Sequence, residues 1–460
     1  MSTSRDVMGA VPAEAVAAAP GSAPVGPEAV GLRDRLRRTV AQNTDVVTNS
    51  ASLVVTTVVT SLVGFVFWWA AARLFPVDSV GQASAAIAAL TLLSTVGMFG
   101  LGTLLVGELP RRAHVAAHLT SAALFASAIA SSILAVGYVA ICLVLGGDLG
   151  AFFASPLVVV MFVLGVGVSA ACLVLDQGLI GVLAGTLQTW RNVYMSVGKL
   201  LFLVVAGLAL ANASGSVIFA CWMAGVLVSL VLLAGHFRRR GMRVFARPAI
   251  RELRGLSRQT VDHNLLNIAL LVPRFCLPIL VTGLLGAAQN AAFYAAQMLV
   301  SFVYLIPVHL GLVLFAVATG EREELRHRLR FTLGVSLALG VPAALALVVG
   351  APFFLGLFGA GYAADATTCL QILALAYLPW IVKTFYVTVA RVDNRLRIAA
   401  IWMVLGGTLE IAGAVFGALR GGLTGLAVGL ALATLLQGLA TLPTVARAAG
   451  FLAPRHPVAS

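Results

Sequence analysis

Long apolar segments alternate with short polar segments along most of this chain. Between residues 46 and 446, about twelve apolar stretches are each long enough to cross a bilayer core of about 30 Å as a helix. Hydrocarbon offers no partner to backbone N–H and C=O groups, so only helices or closed barrels span it. The pattern predicts an all-α, polytopic membrane protein with about 12 transmembrane helices. The predicted spans are 46–72, 80–107, 116–146, 154–176, 192–212, 215–237, 260–286, 290–318, 329–350, 364–390, 398–419 and 422–446.

Basic residues are distributed unevenly between the two sides of these spans. With the N-terminus in the cytoplasm, 25 of the 30 Lys and Arg residues fall in cytoplasmic segments, and only Arg73 and Arg420 fall in outer loops. Cytoplasmic loops of membrane proteins carry such an excess of positive charge. The distribution predicts that both termini are cytoplasmic. The basic loops are expected to contact anionic membrane lipids.

Composition supports a membrane location. Hydrophobic residues make up 60% of the chain, charged residues 10%, and mean hydropathy is +1.01, whereas soluble proteins contain about 25% charged residues. The basic residues responsible for the pI near 10.4 lie in short loops between spans, so no nucleic-acid partner is expected. The five cysteines lie in apolar segments without metal-ligand spacing, which predicts buried apolar roles.

The spans are predicted to form two halves of six. Residues 1–45 are rich in Ala, Pro and Gly, lack the features of a signal peptide and are expected to form a disordered cytoplasmic tail. The halves, 46–237 and 260–446, are joined by a basic cytoplasmic linker, 238–259, and 447–460 form a second cytoplasmic tail. A weak resemblance between the halves, at an offset of about 210 residues, indicates a parallel repeat of the kind found in transporters. Two six-helix lobes around a central cavity are therefore expected.

Arg274 is the sharpest candidate for a substrate-binding residue. It lies near the middle of the seventh span, where a cation costs at least about 2.5–3.5 kcal/mol and usually faces a cavity or a partner. Pro273 and Pro278 flank it and predict a bent helix. A guanidinium donates two hydrogen bonds at once, which suits a phosphate or diphosphate in a water-filled cavity. A structural ion pair with a carboxylate on another helix is the alternative.

Three further charged residues lie within spans. Lys199 and Lys383 are each about 12 Å from the cytoplasmic face, counted along the helix from the nearest loop arginine. They either form a basic vestibule below Arg274 or extend back to the lipid headgroups. Glu410, near the middle of the eleventh span, is a candidate for ion coupling, or else it neutralises Arg274 or a lysine.

Polar residues at helical spacing form stripes on two spans. Such stripes either line a hydrated cavity that accepts sugar or form hydrogen bonds between helices. The residues are Asn49, Ser52, Thr56 and Thr60 on the first span, and Asn290, Tyr294, Gln297, Ser301 and Tyr304 on the eighth.

Enzyme signatures are missing from the sequence. It has no phosphate-binding glycine loop, its seven histidines show no metal pattern, and it contains no sizeable soluble domain. The protein is therefore expected not to be an enzyme and to need no metal or cofactor. Binding and moving a substrate is the remaining class of function.

Two segments resemble a known family. They are AARLFPVDSVGQASAAIAALTLLSTVGMFGLGTLLVGELPR, residues 71–111, and LDQGLIGVLAGTLQTWRNVYMSVGKL, residues 175–200. Both are similar to the polysaccharide-biosynthesis (O-antigen type) flippases of the multidrug, oligosaccharidyl-lipid and polysaccharide exporter superfamily. The twelve-span layout extends the resemblance over nearly the whole chain.

The resemblance implies a bacterial cell-membrane flippase that works by alternating access. Its implied substrate is a polyprenyl-pyrophosphate-linked oligosaccharide for surface polysaccharide assembly, and glycan polymerases and glycosyltransferases are its implied partners. Basic cavity residues bind pyrophosphate in such flippases, and Arg274 is matched to that role. A drug/cation antiporter of the same architecture, a membrane-embedded polymerase or acyltransferase, and a non-transporting scaffold are the alternatives.

Overall fold

The computed structural model describes residues 60–112, 115–182, 184–210, 213–239, 246, 248, 258–317 and 322–452. Helices and the turns between them make up these residues, and no strand occurs among them. The predicted tail 1–45, the polar residue Asn49, most of the linker 238–259 and residues 453–460 lie outside them. In chain order the helices are α1 (Thr60–Leu74), α2 (Val77–Gly97), α3 (Leu101–Glu108), α4 (Ala116–Leu145), α5 (Gly147–Phe152), α6 (Pro156–Gly181), α7 (Gly185–Ala209), α8 (Gly215–Arg239), α9 (Arg258–Leu285), α10 (Ala287–Val317), α11 (Arg322–Gly356), α12 (Ala360–Leu375), α13 (Tyr377–Val392) and α14 (Leu396–Ala448).

The helices account for the predicted spans. Nine helices of the described residues are long and apolar enough to cross a membrane, and the bent pair α12–α13 makes a tenth span. Helix α14 contains 53 residues, a length of about 80 Å, so it supplies two spans rather than one. With the shorter apolar helix α1, the arrangement is consistent with twelve spans. The all-α polytopic fold class is confirmed.

Helix α14 is a tight hairpin held together by glycine. The backbone leaves helical geometry at Gly421 and Gly422, where Gly422 has φ 58°. A Cβ on any of four further glycines would overlap the backbone of the opposite arm, so glycine allows the two arms to pack at backbone contact. These glycines are Gly413, Gly417, Gly425 and Gly429.

Two predicted spans are broken. The second span divides into α2 and α3 at a turn where Phe99 (φ 46°) and Gly100 (φ 77°) adopt left-handed backbone conformations. The tenth divides into α12 and α13 with a bend of 47°. Pro379 explains the second break, because it has no N–H to bond the carbonyl of Leu375 one turn earlier. In contrast, α9 runs through Pro273 and Pro278 as one continuous helix.

The first and second halves contact each other at the side predicted to be outside. The carboxylate of Asp148 accepts a hydrogen bond from the backbone N–H of Ala287 at 2.7 Å. The guanidinium of Arg73 donates to the carbonyl of Leu357 at 2.9 Å. The amide of Asn290 donates to the carbonyl of Gly81 at 2.8 Å. These contacts define an outer seal between the halves, and α2 packs directly on α9 and α10.

Candidate functional site

A cavity of about 620 Å³ lies between the two halves. Helices α2, α3, α6 and α7 line it from the first half, and α9, α10, α12, α13 and α14 line it from the second. Its lining extends to helix ends on the side predicted to be cytoplasmic, at Asp176, Gln188, Asn267 and Arg391. The halves contact each other at the opposite side, so the cavity approaches the face predicted to be cytoplasmic.

Arg274 lines this cavity and is exposed to it. No carboxylate of the described residues lies within ion-pair distance of its guanidinium, so the alternative of a structural ion pair is not seen there. The backbone carbonyl of Arg274 has no partner within its own helix, because Pro278, four residues later, has no N–H. The side-chain amide of Gln297 donates to this carbonyl instead, at 3.3 Å. Arg274 therefore presents a guanidinium whose N–H donors are available to a ligand.

Lys383 and Glu410 both line the cavity and form a buried ion pair. The Lys383 Nζ lies 2.6 Å from Glu410 Oε1, and each side chain is 6% exposed. Thr434 Oγ1 approaches the same carboxylate oxygen at 3.4 Å, and the ammonium lies 5.2 Å from the centre of the Trp380 ring. Of the sequence-based alternatives for Glu410, neutralisation of a lysine is the one that matches this geometry.

The polar stripe on α10 is divided between two tasks. Gln297, Ser301 and Tyr304 line the cavity. Tyr304 stacks on Trp380 with ring centres 4.7 Å apart, and its hydroxyl donates to the Leu373 carbonyl at 2.6 Å. These contacts build a rigid aromatic wall.

The remaining stripe residues join helices instead. Asn290 is fully buried and bonds to α2 through Gly81 and Ser84. Tyr294 packs against Trp68 of α1 with ring centres 4.7 Å apart and does not line the cavity. One part of the stripe therefore lines a cavity, and another part joins helices.

Lys199 lies apart from the cavity within the first half. It is 5% exposed, and its ammonium stands 3.6 Å from the centre of the Trp222 ring and 5.3 Å from that of Phe67. A cation held over aromatic faces is stabilised by the ring quadrupoles. The structure thus brings Arg274, Lys383, Gln297, Tyr304 and Glu410 together and leaves Lys199 and Tyr294 elsewhere.

Arg391 is a cavity residue that the sequence pattern does not single out. It lies in the last turn of α13, and its Nη2 donates to the Asn267 amide oxygen at 3.1 Å. Its Nε is buried without a hydrogen-bond partner within the described part of the chain. Asn267, the partner of Arg391, and Arg274 are seven residues apart on α9, so they lie on one face of that helix with a rise of about 10 Å between them.

A second pair occupies the first-half side of the cavity. The Arg191 Nε donates to Asp176 Oδ1 at 2.6 Å, and Arg191 Nη2 bonds Asp176 Oδ2. Asp176, the last residue of the predicted span 154–176, is 8% exposed and lines the cavity. A buried carboxylate needs such a partner, because an isolated charge is strongly disfavoured away from water.

The charges of the cavity are therefore unequal. Both lining carboxylates, Asp176 and Glu410, are engaged by a cation, whereas the guanidinium groups of Arg274 and Arg391 have no carboxylate partner among the described residues. The cavity has a positive surplus, and both surplus charges belong to the second half.

Comparison of the sequence with protein families and with curated proteins finds no match. Solved structures do match. An inward-facing multidrug resistance MATE family transporter of the MOP superfamily has a TM-score of 0.65, with 15% identity over 85% of this chain and 95% of that one. An outward-facing one has a TM-score of 0.56, with 14% identity over 88% of this chain and 96% of that one.

A third structure is a MOP superfamily transporter from Pyrococcus furiosus Vc1. The reverse polarity of its binding pocket suggests a different function for that protein. Its TM-score is 0.58, with 14% identity over 88% of this chain and 95% of that one. At these identities the comparisons concern the fold. The chain has a MATE-like transporter fold, in which helices that cross the membrane surround a cavity between two halves.

Proposed function

We propose that this protein exports a polyprenyl-diphosphate-linked oligosaccharide across the cell membrane by alternating access, for surface polysaccharide assembly. The observation that carries the proposal is the pair of guanidinium groups, Arg274 and Arg391, that face the cavity without a carboxylate partner within the described residues. A diphosphate offers several acceptor oxygens to the planar donors of arginine. Asn267, the partner of Arg391, lies two turns before Arg274 on α9, so one cation is near the cytoplasmic mouth and the other is deeper.

The positions of the outer seal and the cavity correspond to the inward-open state of such a transport cycle. The halves are joined by Asp148, Arg73 and Asn290 at the outer side, and the cavity extends towards the cytoplasmic face. A substrate loaded from the cytoplasmic leaflet would enter this state. The higher TM-score to an inward-facing transporter agrees with that assignment.

The charge balance favours this proposal over the drug/cation antiporter. A cavity that binds organic cations should contain available carboxylates, but Asp176 and Glu410 are each in an ion pair. A MOP superfamily transporter with a pocket of reverse polarity indicates that the fold accommodates pockets of different charge. An anionic substrate is therefore the better match, while the glycosyltransferase and polymerase partners remain predictions.

The experiment compares Arg274→Ala with Arg274→Lys and with Arg420→Ala, an outer arginine that packs on Phe416 and does not line the cavity. Arg274→Ala is expected to abolish surface polysaccharide while the protein remains in the membrane at normal levels. Arg274→Lys should restore it only in part, because an ammonium lacks the planar fork. Arg420→Ala should behave as wild type.

Normal polysaccharide in the Arg274→Ala strain would remove this residue from the mechanism. Unchanged polymer together with lost drug efflux would support the antiporter instead. Retained export after several cavity substitutions would favour the scaffold.

A further inference from the structure

The cavity has a second polar wall, opposite in character to the arginine side. Asp176 and Gln177 of α6 and Gln188 of α7 line the cavity from the first half. We propose that this first-half wall binds the sugar of the substrate and that the two arginines bind its diphosphate. The inference rests on the proposed function and extends it to the recognition of the glycan.

The carboxylate of this wall is held in a fixed orientation. Arg191 binds both oxygens of Asp176, and the Asn192 amide donates to Oδ2 at 3.3 Å. Each carboxylate oxygen can accept more than one hydrogen bond, so Asp176 keeps acceptor capacity for a hydroxyl group. Because Arg191 is 3% exposed, the pair is fixed by its surroundings and presents a preorganised acceptor at the cavity surface.

Gln188 adds an amide oxygen to this wall. Its Oε1 is buried and has no partner in the part of the chain that the structure describes. The same is true of Nη1 of the neighbouring Arg191. A buried polar atom without a partner is unusual in folded proteins and calls for a ligand or water. A sugar hydroxyl both donates and accepts, so it satisfies an amide in either orientation.

The difference in charge between the two walls orients the substrate. Arg191 balances the charge of Asp176, so the first-half wall does not attract an anion, whereas the guanidinium groups of Arg274 and Arg391 do; the diphosphate is therefore directed to the second half. Asp176 can accept hydrogen bonds from neutral hydroxyl groups, so the first-half wall favours a glycan over a phosphate. The cavity of about 620 Å³ falls within the usual range for small-ligand sites.

The test measures binding of two lipids to the full-length protein in nanodiscs. One is a polyprenyl diphosphate, and the other is the same lipid carrying a disaccharide. The variant is Gln188→Leu, which leaves the ion pair of Asp176 intact. The matched control is Gln371→Leu, because Gln371 donates to the Val348 carbonyl within the second half and does not line the cavity.

Gln188→Leu is expected to weaken binding of the sugar-bearing lipid by about tenfold, as for the loss of a hydrogen bond in a desolvated site. Binding of the sugar-free lipid should be unchanged. Arg274→Ala should weaken both lipids, and Gln371→Leu neither. Equal effects of Gln188→Leu on the two lipids, or no effect on either, would overturn the sugar site while leaving the proposed function in place. Failure of wild-type protein to bind either lipid would overturn the proposed function and this inference with it.

Discussion

The ion pair of Lys383 and Glu410 gives a quantitative prediction for stability. The two charged atoms are 2.6 Å apart, and each side chain is 6% exposed. At an effective dielectric constant of about 20, charges at that distance attract by about 6 kcal/mol. Desolvation of the two groups opposes this gain, so the pair as a whole contributes little compared with an apolar pair. Removal of one partner is different, because it leaves a buried charge uncompensated.

Each single substitution is therefore expected to lower the free energy of unfolding by about 3–5 kcal/mol. Lys383→Met leaves the Glu410 carboxylate with Thr434 at 3.4 Å, and Glu410→Gln leaves the ammonium with the Trp380 ring at 5.2 Å. The double variant Lys383→Met/Glu410→Gln contains neither charge. It should be more stable than the two single effects together predict, with a coupling energy about as large as one single effect, about 3–5 kcal/mol, because no uncompensated charge remains.

The assay is thermal unfolding of the four proteins in the same detergent, followed by tryptophan fluorescence. We expect the midpoints of both single variants to fall by at least about 5 °C. The midpoint of the double variant should lie above at least one of them. Single effects that simply add in the double variant would show that the two charges do not stabilise each other, and would refute the reasoning.

Two predictions concern the outer seal. Asp148→Ala removes the carboxylate that accepts from the Ala287 N–H. A hydrogen bond to a charged group contributes about 1.5–3 kcal/mol, so its loss should raise the ratio of outward-open to inward-open protein about tenfold or more. A cysteine placed at Gln297 would then react faster with a membrane-impermeant thiol reagent added from outside; an unchanged rate would argue against the seal. Gly81→Ala should also open the seal, because its Cβ would overlap the Ala287 carbonyl, whereas Gly235→Ala, with open space around its Cβ, should not. Equal labelling rates in these two glycine variants would contradict the close approach.

The helices and the most exposed charge of the cavity could be predicted from the sequence. Apolar length fixes the spans, because no other backbone arrangement is satisfied in a bilayer. Arg274 could be predicted because a lone cation in the middle of a span is disfavoured without a wet surface beside it. The structure places it at such a cavity surface.

The other parts of the cavity depend on how the helices are rotated about their axes, which the sequence pattern does not specify. Arg391 reads as one more loop arginine, yet the course of α13 turns it towards Asn267. Asp176 lies at the end of a predicted span, and only the packing of α6 against α7 brings Arg191 to it. Lys199 has the same depth as Lys383, but Trp222 rather than a carboxylate lies opposite it. The break after α2 has only Gly100 as a local signal.

The break between α2 and α3 divides the second span into a part that contacts the second half and a part that lines the cavity. The α2 segment is anchored to the second half by Asn290, while α3 and the preceding turn carry cavity residues such as Met98 and Thr103. Around Phe99 and Gly100 the helical ladder is already interrupted, and only short-range bonds such as Leu101 N–H to the Met98 carbonyl remain. Rotation of α3 would therefore break few backbone hydrogen bonds, so α3 can move while α2 stays attached to the second half.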